Sequence, residues 1–529
     1  MHDSIMGGGF TATGAARSQR GRFLNTILVT DAISDRSTAE PFGSVRSRAQ
    51  SVVRSLLDAS SVDIRALASF RVALSLILLC DLWWRAQDLR FFYSDEGALL
   101  RAEAMSLGSQ WIVSLFFLNG TWQFQAVLFL LYAAVLVALL VGYRTQMMAV
   151  LTWLFVMSIQ RRNPQILQGG DNLVRCLAFW AMFVPLGAAW SVDAMRSGRR
   201  AIGQKVISLP ALFIQLQMVG LYFFSSLLKS GAAWHEAHSA VYYALSVDPL
   251  TTPVGRALLP YRGLLSVLTQ ATMILEKYCG FLAFIPARNP MFRILTTGLF
   301  WSFHIALLIT MNLGPFPFIC LAGWLLFLPS QFWNKISGSS QPSVDWASRR
   351  YRDDSSKVFR FTRDLAVTCF FVTTVLWNIR TLDFERGQKY LPVTYNYLLE
   401  LVGLDQNWGM FAPYPMNWDG WYQIVGRTVS GRAVNLSPGA NAEDPITDER
   451  PERIDRMYST ERWRKYMMFL AERNSAPWRG AYMRALVASW AAAHPNDVLQ
   501  NVEMYFWFEL TLDEGSSPVE KQHLWHYER

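Results

Sequence analysis

The stretch LPALFIQLQMVGLYFFSSLLKSGAAW, residues 209–234, decides how this chain is read. Its apolar run from Leu209 to Leu228 is about 20 residues long, enough to cross the hydrocarbon of a bilayer. The run ends on a single lysine, Lys229, whose ammonium would then sit at the membrane edge. A lysine there either snorkels to water as a passive anchor or is desolvated into a reactive amine.

The rest of the chain has the same character. Of 529 residues, 52% are hydrophobic and only 17% charged, with mean hydropathy +0.17. A soluble domain carries about 25% charge. The apolar residues are gathered in long blocks, and about nine membrane-spanning helices are expected. They lie near Ile64–Trp84, Trp122–Gly142, Gln146–Gln160, Asn172–Trp190, Leu209–Leu228, Gly263–Ile285, Met291–Met311, Phe316–Leu328 and Thr362–Ile379. The fold class that follows is a polytopic α-helical membrane protein with a smaller C-terminal α+β extramembrane domain.

Three regions are expected. Residues 1–63 are polar, rich in Ser, Arg and Gly, with no signal-peptide core, and read as a largely disordered tail. Residues 64–380 hold the helices. Residues 381–529 change to a mixed pattern, with strands at Gly420–Val425, Gly431–Leu436 and Val502–Leu512 and amphipathic helices at Glu461–Arg473 and Trp478–Ala493.

Net charge is +9, but the basic residues are scattered between apolar blocks, so it reads as topogenic rather than as a nucleic-acid surface. Loops with Arg144, Arg196, Arg199, Arg200, Lys205, Arg288, Arg293, Lys335, Arg349, Arg350, Arg352, Lys357 and Arg360 outweigh the alternate set with Arg90, Arg101, Arg161, Arg162, Arg256 and Arg262. That places the N-terminus in the cytoplasm and the C-terminal domain on the outer side. The five cysteines fall in or beside apolar blocks and imply no disulfide framework. No phosphate loop, nucleophile elbow or dinucleotide fingerprint is present. His235 and His238 are spaced i, i+3 without a third ligand cluster, so no metal site is expected.

Ionisable groups inside apolar segments are costly and mark candidate sites. They are Arg71, Asp81 and Arg85 at the first span, Asp171 and Arg175 opening the fourth, Glu276 in the sixth and His304 in the seventh, with Asn312 at its end. Asp171 and Arg175 are four apart, as for an ion pair on one helix face. Glu276 with Arg71 is a conceivable interhelical pair. For each, simply holding the bundle together is the competing role.

Five blocks, in order, carry a family resemblance. They are Phe70-Arg71-Val72 with FYSDEG at 92–97, RNPQILQGGDNLVR at 162–175 with VPLGAAWSVD at 184–193, YFFSSLLKSGAAWHE at 222–236, FHIALLITMNLGPFPF at 303–318, and WGMFAPYP at 408–415 with DGWY at 419–422. The chain resembles the HTTM membrane domain, the horizontally transferred transmembrane domain shared with vitamin K-dependent γ-glutamyl carboxylase. The resemblance implies that Lys229 is a base that deprotonates a reduced naphthoquinone of the vitamin K type, with Trp234 keeping the family spacing. It further implies reaction of that quinol with oxygen, removal of a γ-proton from a glutamate side chain of a peptide or protein, and uptake of carbon dioxide. His304 and Glu276 would orient the substrate or polarise an oxygen, and Arg71, Asp171, Arg175 and Asn312 would complete a pocket. The C-terminal region departs from the carboxylase beyond the DGWY block. A non-enzymatic membrane scaffold or maturation factor that binds a partner through that region is the alternative, and a transporter ranks third for want of internal repeats.

Overall fold

Helix boundaries follow the caps that the sequence supplies. In the computed structural model, which describes residue 55 and residues 57–107, 113–197, 205–286, 290–336, 356–513 and 515–529, Asp63 accepts from Arg65 N and opens α1, Ile64–Gln87. Then come α2, Trp122–Val141, α3, Thr145–Arg162, and α4, Gly169–Ala181. The Ser208 hydroxyl caps α5, Leu209–Leu228, which has Pro210 in its first turn, where a missing N–H costs nothing. The bundle continues with α6, Arg262–Tyr278, α7, Met291–Thr310, α8, Phe316–Trp324, α9, Ser330–Ile336, and α10, Lys357–Leu382.

Five of these, α1, α2, α5, α7 and α10, are long and apolar enough to cross a membrane. A sixth crossing is available if Phe316–Phe327 and Ser330–Ile336, bent by 99°, count as one broken span. The other three expected spans are also helical but shorter or more polar. Helix α4 has 13 residues, about 20 Å at 1.5 Å per residue, against a hydrocarbon thickness of about 30 Å. Helix α3 ends in Arg161 and Arg162, and α6 carries Glu276 and Lys277. The sequence reading counted apolar windows, and these windows run on into non-helical turns or polar ends. Of the expected regions, residues 1–54 lie outside the described residues, as do Arg199, Arg200, Arg288, Arg349, Arg350 and Arg352.

Glycine matters at the turn after α2. Gly142 adopts φ +72°, and a Cβ there would lie 2.3 Å from the Ser191 Cβ and 2.7 Å from Arg71 Nη1. Only glycine lets the turn close over the buried guanidinium.

After α10 the chain folds back through Phe384–Gly387, Val393–Tyr395 and α11, Asn396–Val402. The C-terminal part is a four-stranded antiparallel sheet in the order β2-β1-β3-β4: β1, Trp418–Thr428; β2, Ala433–Asn435; β3, Leu499–Leu510; β4, Glu520–Glu528. Trp421 pairs with Trp507 and Tyr422 with Phe506 in the β1–β3 register. Between β2 and β3 lie α12, Glu461–Ala471, and α13, Ala476–Ala493. The Tyr422 hydroxyl donates to Met467 O at 2.7 Å, fixing α12 on one face of the sheet. Strand β4 was absent from the sequence expectation, because polar residues fill most of its positions and its apolar pair Leu524-Trp525 breaks the alternation.

Candidate functional site

Lys229 is the C-cap of α5, one residue beyond its last helical turn. It does not snorkel: only 3% of it is exposed. Its Nζ donates to the Ser225 hydroxyl at 3.1 Å, one turn back on the same face, and is in direct contact with the Glu276 carboxylate of α6. Glu276 is likewise buried. The Trp234 ring covers the amine, with its centroid 4.9 Å from Nζ. Here a cation gains from the ring face because water is excluded.

The segment WGMFAPYP closes this corner. The Trp234 indole donates to Phe411 O at 3.0 Å, and Gly231 N donates to Pro413 O at 3.1 Å. A side chain at Gly231 would collide with the Tyr414 ring at 2.3 Å, so the two segments touch backbone to ring. His235 bonds the Lys229 carbonyl oxygen at 2.8 Å, and His238 bonds Trp234 O at 3.2 Å. The two histidines thus close turns on backbone acceptors.

Two turns before Lys229 on α5 stands Tyr222, fully buried. Its hydroxyl lies 2.7 Å from His304 Nε2 of α7 and accepts from the Trp324 indole at 3.1 Å. The other ring nitrogen of His304, Nδ1, is buried with no hydrogen-bond partner among the described residues. A neutral imidazole there holds either a free donor or a free acceptor. Helix α5 therefore carries Tyr222, Ser225 and Lys229 as a polar stripe. Sequence reading picked out His304 and Lys229 but passed over Tyr222 as one aromatic among several; its i−7 spacing from Lys229 was the available signal.

A second polar centre lies elsewhere in the bundle. Asp171 at the start of α4 is met by Arg85 of α1, Nη2 to Oδ1 at 2.6 Å, and by Arg462 of α12 on both carboxylate oxygens. Arg85 Nε also binds Asp81 at 2.6 Å and its Nη1 donates to the Tyr93 hydroxyl at 2.6 Å; Arg462 reaches Asp81 at 2.9 Å. Two carboxylates and two guanidiniums thus form a closed square, with Glu461 a third carboxylate 3.2 Å from Arg462 Nε, that joins the helices to the C-terminal region. Beside it is a cavity of about 10 Å³, room for roughly one water, lined in part by Asp81, Arg85, Tyr132, Gln160 and Asp171. Its lining contains none of Lys229, Glu276 or His304. The Tyr132 hydroxyl and Gln160 Oε1 are buried there without hydrogen-bond partners among the described residues.

The remaining expected site residues are placed otherwise. The ion pair of Asp171 with Arg175 does not form: Arg175 turns to Asp405, 3.3 Å to its carboxylate, while Asp171 is taken by Arg85 and Arg462. Helical spacing brought the two onto neighbouring turns, but each found a stronger partner on another element. Arg71 does not meet Glu276 either. Its guanidinium donates to the carbonyls of Leu186 at 3.0 Å, Ala189 at 3.4 Å and Trp190 at 2.5 Å, tying off the turn after α4. Asn312 is exposed and contributes its backbone, with N donating to Leu250 O at 2.7 Å and O accepting from Arg464 at 3.0 Å. Arg462 and Arg464, read only as part of an amphipathic helix, were the groups sequence reasoning missed.

Apolar helices of spanning length, buried ion pairs between them and a sheet region locked on by arginine define a multi-pass helical membrane protein. The family model described as the HTTM domain matches residues 60–333, more than half of the chain, and the chain belongs to that family. Searches of curated proteins and of solved structures returned no match.

Proposed function

We propose that this HTTM-family protein carries out quinol-linked, carboxylase-like chemistry with Lys229 as the base. The observation that carries the reading is the burial of Lys229 against Glu276 under the Trp234 ring, where a snorkelling anchor would have reached for headgroups. A reduced naphthoquinone would meet two buried polar atoms: the Lys229 amine at one end of the α5 stripe, and His304 Nδ1 of α7, held beside Tyr222 at the other end and without a hydrogen-bond partner among the described residues. When bound, such a quinol would supply four electrons to oxygen, two on passing to the quinone level and two on epoxidation, so that one quinol and one O₂ give one quinone epoxide and one water.

The chain's own part is proton handling. To act as base, Lys229 would pass an ammonium proton to the neighbouring Glu276 carboxylate during turnover. The neutral amine then accepts a phenolic proton at Nζ. Ser225 keeps the amine on the α5 axis, and Trp234 with the 411–414 segment keeps bulk water out. Tyr222 fixes the His304 ring by holding Nε2, leaving Nδ1 to bond a ligand oxygen.

The finer topology belongs to the same proposal. Helices α1, α2, α3, α4, α5, α7, α8 with α9, and α10, with a sixth crossing that runs from the Glu276 end of α6 on through the 3-10 segment Cys279–Phe284, would make nine crossings, with the C-terminal domain on the side where α5 ends. The meeting of the end of α1, the start of α4 and α12 at Asp81, Asp171 and Arg462 supports this. Oxygen-dependent formation of epoxide from reduced naphthoquinones by the purified protein tests the reaction. No turnover across several quinols favours the scaffold reading instead.

A further inference from the structure

The chain between the last long apolar helix and the sheet is unusual in what it exposes. Residues 384–401 are pinned at three points. The Arg380 guanidinium donates to Leu391 O at 2.9 Å, Leu391 and Leu399 are buried, and the Trp153 indole holds Val402 O at 3.0 Å. A Cβ at Gly387 would sit 2.3 Å from the Arg380 backbone, so the segment lies directly on the end of α10. Yet Phe384, Tyr390, Val393, Tyr395, Leu398 and Leu401 all point outward, Phe384 being 57% and Tyr390 66% exposed. A segment held this firmly has no conformational reason to leave so many large apolar side chains in water.

We propose that residues 384–401 are an interfacial anchor seated in the headgroup layer of the leaflet at which α10 ends. Two observations select the bilayer as the occupant. The segment is continuous with a helix apolar enough to span the membrane and is folded back on its last turn. Its exposed side chains are also of the interfacial kind: tyrosines and a phenylalanine alongside Arg386 and Lys389, which can reach outward with their charges. Other exposed aromatics cap helix ends in the same way, with Trp83 and Trp84 at the end of α1 and Tyr261 before α6. Asp383, Glu385 and Glu400 offset the two basic residues, so the attraction rests on apolar and aromatic contact, and a zwitterionic lipid suffices.

The test uses the full chain in phosphatidylcholine nanodiscs, with the photoreactive residue p-benzoylphenylalanine placed singly at position 390, 395 or 429. Val429, exposed in the turn between β1 and β2, is the control. After irradiation, intact mass should show a phosphatidylcholine adduct severalfold more abundant at 390 and 395 than at 429. Equal adduct at all three positions overturns the proposal, as does crosslinking of 390 or 395 to a second copy of the chain in place of lipid. All three positions are exposed, so the replacements leave the packing intact.

Discussion

The Lys229 ammonium and the Glu276 carboxylate, brought from the end of α5 and the last turns of α6, are in direct contact and both are buried. Their coupling is the firmest link between the sequence motif and its chemistry. Removing one partner of a buried pair leaves the other charge uncompensated, at a cost of about 3–5 kcal/mol. Glu276→Leu and Lys229→Met should each lower the melting temperature in detergent. The double variant should recover most of that loss, because replacing both charges by apolar groups of similar size is near neutral. Equal and additive losses would mean that the two groups do not act as a pair.

Arg462 makes a different prediction. One planar guanidinium serves Asp81 and Asp171 together, which an ammonium cannot do from a single position. Arg462→Lys should therefore be almost as damaging as Arg462→Met. Both should expose the C-terminal region to limited proteolysis while α1 to α10 stay protected. Rescue by lysine would show that charge alone holds the region in place.

In the sheet, burial pushes the Asp419 carboxyl up to about 7 from 3.8, and the nearby Asp248 carboxylate adds to the rise. Between pH 4 and 7 the unfolded chain has lost this proton while the folded chain still holds it. Stability therefore falls as pH rises through that window and levels off above about pH 7. Asp419→Asn keeps an acceptor for Asp248 N, which bonds Asp419 at 2.5 Å, and removes the titration. Its melting temperature should vary less across pH 4–7 than that of the parent. An unchanged pH profile would contradict the assignment.

Tyr222 links His304 to Trp324 through one oxygen. Tyr222→Phe should cost about 1–3 kcal/mol in stability, since it leaves a buried indole N–H and an imidazole nitrogen unpaired. It should also lower the affinity for a reduced quinone, because the ring is no longer held. Wild-type affinity in this variant would remove His304 from the site.

Much of the helical fold was legible because long apolar runs have few alternatives. Leu209–Leu228 was read with both boundaries as observed, since its apolar run is uninterrupted by charge and ends at Lys229; the structure adds the Ser208 cap and Pro210 in the first turn. Segments such as Gly169–Ala181 were harder, since apolar residues continue past the helix into the turn that Arg71 ties off. Lys229, Glu276 and His304 could be named as isolated polar groups in apolar surroundings. Which group pairs with which could not be read, because Asp171 had a plausible neighbour at Arg175 and its true partners, Arg85 and Arg462, are 86 and 291 residues away. Tyr222 and Arg462 looked ordinary in sequence and acquire meaning only through packing.

The most direct test of the central claim is the rate of oxygen-dependent epoxide formation from a reduced naphthoquinone, comparing the purified wild-type protein with Lys229→Ala. General-base catalysis is worth about 10²–10⁴-fold, so the variant should lose that much and regain part of it when a small primary amine is added. Turnover unchanged in Lys229→Ala, or no turnover by the wild-type protein with any quinol, would contradict the assignment of Lys229 as the base.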